Sequence, residues 1–334
     1  AAAIISNAGN ANAFTGSKGT AAVTGMTDML AAQLGCAARE IMVASTGVIG
    51  EPLDINSLAS HITKLASAAP ASWQDAAAAI LTTDSFAKGS FTSCLINGVK
   101  ISIAGIAKGS GMIAPNMATM LGYIATDADL PGEVLAHCLR TATDNSFNAI
   151  TVDSDTSTND SVFLMASGAA GNAPINHAED PALADFCDAL DRVMRDLAIQ
   201  IVRDGEGATK LITIDVTGAS DNATARKIGL AIANSPLVKT AIAGEDANWG
   251  RIVMAIGKHN LGISQSAISI DIGGMAVARN GMRIDDFDEA PVASHMTGQE
   301  IDIAVIVGAG SGISRVWTCD LTHGYISINA DYRS

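Results

Sequence analysis

Hydrophobic and polar positions along the chain alternate between short β-branched runs and longer Ala-rich stretches with helical spacing. The short runs predict strands at 1–6, 41–46, 91–107, 118–126, 161–167, 211–217, 267–278 and 301–308. The longer stretches predict helices at 20–35, 56–68, 72–82, 131–143, 181–203, 221–234 and 248–257. Because both kinds of segment recur over the whole length, the pattern favours a mixed α and β architecture.

The segment 181–203 gives the clearest helical pattern. Asp180 is suited to cap it, and Pro181 is suited to its first turn. Its apolar residues recur on one face, at Leu183, Phe186, Leu190, Val193, Leu197 and Ile201. We therefore expect this helix to bury one face in the core.

Short turns between predicted strands favour hairpins over a purely parallel winding. Asn97-Gly98 and Gly273-Gly274 are turns of this kind. The pattern therefore predicts an α+β fold, a layered mixed α/β sandwich of sheets covered by helices, rather than a Rossmann sheet. The small, polar stretch at 167–180 predicts a boundary between a first domain, 1–170, and a second domain, 171–334.

Composition and charge narrow the classes of partner. The formal net charge of -14 argues against nucleic acid and against an anionic membrane surface. No apolar run has the length of a membrane span. The five cysteines are scattered without a pairing or ligand pattern, so we expect neither a disulfide framework nor a zinc site, and a reducing, cytoplasmic compartment.

The residues offer few familiar catalytic or metal motifs. The acidic run 153–160 resembles the start of a calcium loop, but Thr158 stands where that loop needs Gly and Leu164 where it needs Glu. We expect its side chains to satisfy backbone groups of a turn. The six histidines show no ligand spacing, so an enzyme with this sequence is expected to use another base and no metal.

The segment 105–128, GIAKGSGMIAPNMATMLGYIATDA, combines a Gly-rich turn with a strand-like run. From spacing alone, Lys108 is a turn residue and Thr119 a strand former. Within this segment, KGSGMIAPNMATML at 108–121 resembles the self-cleavage segment of the ornithine acetyltransferase family. Further blocks resemble the family in its order, namely SNAGNANAFTG at 6–16, ASTGVIGEPL at 44–53, LTTDS at 81–85, VDSDTSTNDS at 152–161, VRDGEGATK at 202–210, SPLVKTAIAGEDANWGRI at 235–252 and YISINADYRS at 325–334.

The resemblance implies that the chain cleaves itself between Ala118 and Thr119, giving fragments 1–118 and 119–334. Thr119 would then be an N-terminal nucleophile. A hydroxyl needs a base, and the freed α-amine of the same residue can serve, since it titrates at about 7.7–8.0. This chemistry is consistent with the lack of a histidine constellation.

The resemblance also implies roles for other residues. Thr46 and Gly47 match the pair that stabilises the oxyanion of the tetrahedral intermediate. The positions that match the family's substrate-binding residues are Ser85, Lys108, Thr119, Glu206, Asn329 and Ser334. Lys108 can pair with a substrate carboxylate and Glu206 can accept from an ammonium group. Ser85 and Ser334 stand where the family usually has Thr, and both retain the hydroxyl.

As a family member, the protein would move an acetyl group from N2-acetyl-L-ornithine to L-glutamate in arginine biosynthesis, releasing ornithine and N-acetyl-glutamate. The implied fold is the sandwich shared with certain self-processing aminopeptidases. No bound cofactor is implied, and acetyl-CoA is left open as a second acetyl donor. The implied assembly is a heterotetramer with two copies of each cleaved fragment.

Two alternatives remain at this point. The same Thr119 could serve an amidohydrolase or aminopeptidase in which water accepts the acyl group. The family usually carries several dozen residues before the SNAGNAN block, so the first domain is expected to lack its N-terminal part. The chain could then be an inactive, truncated homologue that acts as a binding module.

Overall fold

The computed structural model of the chain describes residues 1–114, 120–285 and 287–330. Its strands are β1 Ala3–Asn10, β2 Ile41–Val48, β3 Lys88–Ile96, β4 Val99–Lys108, β5 Leu121–Thr126, β6 Ser161–Ala166, β7 Leu211–Ala219, β8 Ser269–Ile272, β9 Met275–Arg279, β10 Met282–Arg283, β11 Glu300–Ile306 and β12 Gly312–Cys319. Its helices are α1 Gly16–Leu34, α2 Ile55–Ala66, α3 Trp73–Ala79, α4 Gly132–Asp144, α5 Ala184–Arg203, α6 Asn222–Ala233, α7 Pro236–Ala243, α8 Trp249–Gly257, α9 Glu289–Met296 and α10 His323–Asn329.

A four-stranded sheet in the order β3-β4-β5-β6 positions the segment that resembles the self-cleavage motif. Strands β3 and β4 form the predicted hairpin around Asn97 and Gly98, whose φ angles of 49° and 80° suit a two-residue turn. Lys108, the last residue of β4, pairs with Leu121, the first residue of β5. The chain therefore leaves β4 and enters β5 at the same end of this strand pair.

Helices and a second small sheet cover the two faces of this four-stranded sheet. Helix α5 packs on β3 and β4, and α4 packs on α5 and β6. The parallel pair β1-β2 and helix α3 cover the other face through an apolar cluster of Ala44, Ala77, Ile106, Leu121 and Tyr123. Helices α1 and α2 pack outside β1 and β2. This arrangement confirms the predicted layered mixed α/β sandwich.

A six-stranded mixed sheet in the order β10-β9-β8-β11-β7-β12 forms the other large layer. Helix α6 packs on β7 and β12, and α7 and α8 pack beside α6. The hairpin between β8 and β9 turns at Gly273 and Gly274, which both have positive φ, as the sequence predicts.

Helix α5 shows how the apolar spacing of the sequence becomes a buried face. Phe186, Leu190, Val193, Leu197 and Ile201 are all within 1% of complete burial. Burial of one such side chain stabilises the fold by about 1.5–3 kcal/mol. Since α5 contacts β3 and β4 as well as β12, one core cluster contains residues from both sides of position 170. The domain boundary at 170/171 stays a prediction.

The structure differs from the predicted pattern in where two long helices begin and in three short helices that were not predicted. Helix α5 begins at Ala184, after a single 3-10 turn at 181–183, and α1 begins at Gly16 rather than at residue 20. Helices α7, α9 and α10 were not predicted, because seven or eight residues are too few for a clear apolar period. No helix in the described ranges has the length and apolar character needed to span a bilayer.

Candidate active site

Lys108, at the end of β4, connects three parts of the chain that the sequence keeps far apart. It is 1% exposed. Its Nζ donates to Thr82 Oγ1 at 2.8 Å and to Thr46 Oγ1 at 3.3 Å. The Nζ also lies 3.6 Å from Asp84 Oδ2. Lys108 and Thr46, which were predicted to bind substrate and oxyanion respectively, are therefore direct neighbours.

Asp84 anchors this lysine within a buried network of charges. Its side chain is completely buried, and its Oδ1 accepts from Lys88 Nζ at 2.7 Å and from the backbone N–H of Gly109 at 2.5 Å. Burial alone would raise the pKa of Asp84, but the cations Lys108 and Lys88 outweigh it and lower that pKa. Asp84 is therefore a fixed anion that orients Lys108 and the start of the turn after it.

Lys88 and Asp204 extend the network towards Ser85. Lys88 Nζ lies 2.6 Å from Asp204 Oδ2, and both side chains are at least 97% buried. Asp204 also accepts from the backbone N–H of Ser85, at 3.0 Å, and from its hydroxyl. The Ser85 hydroxyl is therefore engaged with Asp204 in this structure, and Ser85 does not line the cavity beside Lys108.

Thr46 and Gly47 lie at the end of β2, where the backbone of β1 approaches closely. They pair with Ala8 and Gly9. Gly47 has φ 132°, and a Cβ there would lie 2.2 Å from the carbonyl carbon of Gly9. This position therefore requires glycine, and Thr46 beside it is 1% exposed.

A cavity of about 250 Å³ opens beside these residues. Its described lining contains five of the predicted site residues, namely Thr46, Gly47, Lys108, Glu206 and Asn329. It also contains hydroxyl and amide groups of Thr82, Thr83, Ser157, Thr158 and Asn159. The cavity is thus lined by a cation, an anion and several uncharged polar groups. This combination suits a small zwitterionic ligand.

Glu206 follows α5 and approaches the Gly-rich turn after β4. Its backbone N–H donates to Ser110 O at 2.9 Å, and a Cβ on Gly111 would lie 2.5 Å from its carboxylate. Asn329 donates from Nδ2 to Glu206 Oε2 at 2.8 Å and to Tyr325 O at 3.0 Å. Asn329 therefore holds the carboxylate that was predicted to accept from a substrate ammonium group.

The loop 151–160 holds the chain on both sides of the predicted cleavage point. Asp153 accepts from the backbone N–H of Met112 at 2.7 Å and of Ile113 at 2.9 Å. Asp160 accepts from the backbone N–H of Met120 at 2.9 Å. Burial raises the pKa of Asp153, and it raises the pKa of Asp160 to about 7 against the opposing effects of the Met120 N–H and Lys108.

Three predicted site residues lie outside the described residues. They are Ala118 and Thr119, at the predicted cleavage point, and Ser334 at the end of the chain. The described residues nearest to the cleavage point along the chain are Ala114 and Met120. Among the described residues, no group of three His, Cys, Asp or Glu side chains is arranged to hold a metal ion.

Comparison with known proteins identifies the family. The model of the ArgJ family matches residues 1–334. The chain belongs to the ArgJ family. This ArgJ-family chain is 53% identical to the arginine biosynthesis bifunctional protein ArgJ of Gluconobacter oxydans, over 100% of this chain and 79% of that protein. It is also 53% identical to the protein of the same name from Zymomonas mobilis, over 100% of this chain and 82% of that one.

A solved structure supports the relationship. The crystal structure of arginine biosynthesis bifunctional protein ArgJ from Bacillus halodurans is 43% identical in sequence, with a TM-score of 0.59. The match covers 62% of this chain and 96% of that chain.

Sequence reasoning on this ArgJ-family chain missed the acidic and basic partners of the predicted residues. They are Asp84, Lys88 and Asp204. Asp84 and Asp204 are neighbours in sequence of Ser85 and Glu206, within the blocks LTTDS and VRDGEGATK, so a signal was present. The sequence did not reveal that Lys88 pairs with Asp204, since these two residues are 116 positions apart.

Proposed function

We propose that this chain transfers an acetyl group from N2-acetyl-L-ornithine to L-glutamate through an acetyl ester on Thr119. By its family, the protein is an acetyltransferase of arginine biosynthesis that acts on small molecules. The observation that carries the residue-level proposal is the cavity in which Lys108, Thr46, Gly47, Glu206 and Asn329 meet. This cavity lies where the segment 109–120 leaves the sheet.

Self-cleavage between Ala118 and Thr119 is the first step of the proposed mechanism. It would free the α-amine of Thr119, which then activates the hydroxyl of the same residue.

Thr46 and Gly47 would stabilise the oxyanion that forms when the Thr119 hydroxyl attacks the acetyl carbonyl. The Thr46 oxygen accepts from Lys108 Nζ, so its own hydrogen remains available for a second partner. Gly47 would add its backbone N–H at a position where no larger residue fits. A single donor of this kind contributes about 10²–10³-fold to kcat in other enzymes.

The charged groups of the cavity would orient the amino acid substrates. Lys108 would pair with the α-carboxylate, and Glu206, held by Asn329, would accept from the distal ammonium group of ornithine. Ser85 and Ser334 complete the proposed substrate contacts. Ser85 would act next to Asp204, because the Ser85 hydroxyl donates to the Asp204 carboxylate in the structure.

Further properties belong to the same proposal. The related proteins carry the name bifunctional. We propose that acetyl-CoA is a second acetyl donor for glutamate, and that neither a bound cofactor nor a metal takes part. We also propose a heterotetramer of two copies of each fragment. We also propose a cytoplasmic location, which fits five cysteines scattered along the sequence without a pairing pattern.

Acetyl labelling tests the proposal directly. The purified protein is mixed with N-acetyl-ornithine that carries a labelled acetyl group, quenched in acid, and digested for mass spectrometry. We expect label on the peptide that starts at Thr119, and its loss to N-acetyl-glutamate when glutamate is added. Ornithine release at the same rate without glutamate would indicate a hydrolase instead. Label at another residue, or none, would contradict the proposal.

A further inference from the structure

Self-cleavage and acetyl transfer need different bases. During acetyl transfer, the free α-amine of Thr119 can take the proton from its own hydroxyl. Before cleavage that nitrogen belongs to the peptide bond with Ala118, and an amide nitrogen is not a useful base. Another group must therefore accept the hydroxyl proton in the uncleaved chain.

Asp160 has a carboxylate next to this point of the chain. It immediately precedes β6, and its Oδ1 accepts from the backbone N–H of Met120 at 2.9 Å. The Met120 nitrogen is bonded to the carbonyl carbon of Thr119 at about 1.33 Å. The carboxylate therefore contacts the N–H of the peptide group that joins Thr119 to Met120.

The second oxygen of the same carboxylate is available. Oδ2 is buried and has no hydrogen-bond partner within the part of the chain that the structure describes. Buried carboxylate oxygens are nearly always paired, so this exception calls for an explanation. Asp160 also lines a second cavity of about 560 Å³, together with Met120 and Ile113, which would give water access to this region.

The charges around Asp160 are consistent with a group that gains and loses a proton near neutral pH. Lys108 on β4 favours the carboxylate, and Arg140 and Asp144 of α4 line the same cavity. Burial is the largest effect and raises the pKa of Asp160 to about 7. A base with a pKa close to the working pH combines the correct protonation state with useful basicity.

Two other ionisable groups near the segment are already engaged. Lys108 is paired with Asp84, and both oxygens of Asp153 accept from backbone N–H groups. No histidine is present in the described lining of either cavity. Asp160 thus has two features together. Its Oδ2 has no described partner, and its Oδ1 accepts a hydrogen bond from the backbone N–H of Met120, the residue after Thr119.

We propose that Asp160 is the proton acceptor of self-cleavage, an inference that rests on the proposed cleavage at Thr119. Asp160 takes the hydroxyl proton as Thr119 Oγ1 bonds to the carbonyl carbon of Ala118. It then gives that proton to the Thr119 nitrogen as the Ala118–Thr119 C–N bond breaks. The resulting ester is hydrolysed by water, which leaves the Ala118 carboxyl group and restores the Thr119 hydroxyl.

The test follows the cleavage of newly synthesised chains. Full-length protein made by cell-free synthesis is transferred to buffers between pH 5.5 and 8.5, and the appearance of the two fragments is timed. In the wild type we expect the rate to rise with pH through about pH 7, because the carboxylate form is the active one. Asp160→Asn should cleave at least about 100-fold more slowly, with no rise near pH 7.

Asp153→Asn is the matched control, since it removes a half-buried carboxylate from the same loop. It should keep the rise near pH 7 even if cleavage slows. If the wild type is cleaved and Asp160→Asn is cleaved equally fast with the same pH dependence, the inference is overturned. The proposed function would remain intact in that case. A wild type that is never cleaved at Thr119 would instead refute the proposed function. If Asp160→Asn fails to fold, a flat wild-type profile around pH 7 overturns the inference.

Discussion

Asp84 and Asp160 are two aspartates near Lys108 that differ in their partners and in the direction in which their pKa is shifted. Asp84 accepts from Lys88 and from a backbone N–H, and the two neighbouring lysines lower its pKa. Asp160 has one backbone partner and one buried oxygen without a described partner, and burial raises its pKa to about 7. The same side chain is thus a fixed anion in one place and a titrating group in the other.

The difference lies in how many partners each carboxylate has. A buried carboxylate that is matched with cations stays charged and can position other groups. A carboxylate that is desolvated and has a single backbone donor lacks that stabilisation and exchanges a proton closer to neutral pH. We therefore assign Asp84 to positioning Lys108, and Asp160 to proton transfer before cleavage.

The largest effect is expected from Thr119→Ala, which removes the hydroxyl from which Asp160 is proposed to take a proton. The variant should remain a single chain and should transfer no acetyl group. Gel electrophoresis and an ornithine-release assay check this, with Thr119→Ser as the matched control that keeps a hydroxyl. Normal cleavage of the alanine variant would exclude Thr119 as the processing nucleophile.

Asp84→Asn tests whether a fixed negative charge positions Lys108. The change keeps the shape but leaves Lys108 without its anion, so burial should lower the pKa of Lys108 further. We expect kcat/KM to fall by about 10²-fold and the KM for glutamate to rise with increasing pH, as Lys108 loses its proton. Steady-state kinetics between pH 6 and 9 measure both quantities.

Stability offers a second readout of the same variant. Removing one partner of a buried ion pair costs about 3 kcal/mol of unfolding free energy at neutral pH. Because the pKa of Asp84 is lowered from 3.8, its contribution is present above that value and is lost as the pH falls through the lowered pKa. Denaturant unfolding should therefore show wild type and variant converging in acid, and an equal difference at every pH would contradict the assignment.

Thr46→Val should reduce kcat by about 10²-fold, because it removes the hydroxyl donor and keeps the shape. Thr46→Ser, which keeps the hydroxyl, is the matched control and should retain most of the activity. A valine variant that changed only KM would show that Thr46 binds the ground state and not the oxyanion.

Asn329→Ala is expected to have the smallest effect. Asn329 contributes one hydrogen bond to Glu206, so its loss should raise the KM for N-acetyl-ornithine by about fivefold, with little effect on the KM for glutamate. Substrate titrations with each amino acid separate the two values. An equal change for both substrates would mean that Asn329 does not act through Glu206.

Several parts of the fold could be predicted from the sequence because their causes are local. The apolar spacing of α5 and the Asn97-Gly98 turn between β3 and β4 depend on residues close together in the chain. Helix α7 was missed, although Ser235 caps it and Pro236 starts it, because eight residues give no clear period. Local patterns therefore predict long elements better than short ones.

The candidate site depends on contacts between distant parts of the chain, which local patterns do not predict. The resemblance predicted roles for Lys108 and Glu206. The contact between Lys108 and Thr46 was not predicted, since the two residues are 62 positions apart. For the run 153–160 we expected side chains that satisfy backbone groups of their own turn, as Asp153 does for the N–H of Asp155. Asp153 and Asp160 also accept from backbone N–H groups of a distant segment, which the pattern did not predict. What could not be predicted is the burial of Asp160, which depends on packing by distant segments.

Intact mass spectrometry of the mature protein is the most direct test of the central claim, that the chain activates itself by exposing Thr119. We expect two polypeptides of about 12 and about 22 kDa, in place of the 34.0 kDa chain, with Thr119 as the first residue of the larger one. A fully active protein whose mass remained 34.0 kDa would contradict the account.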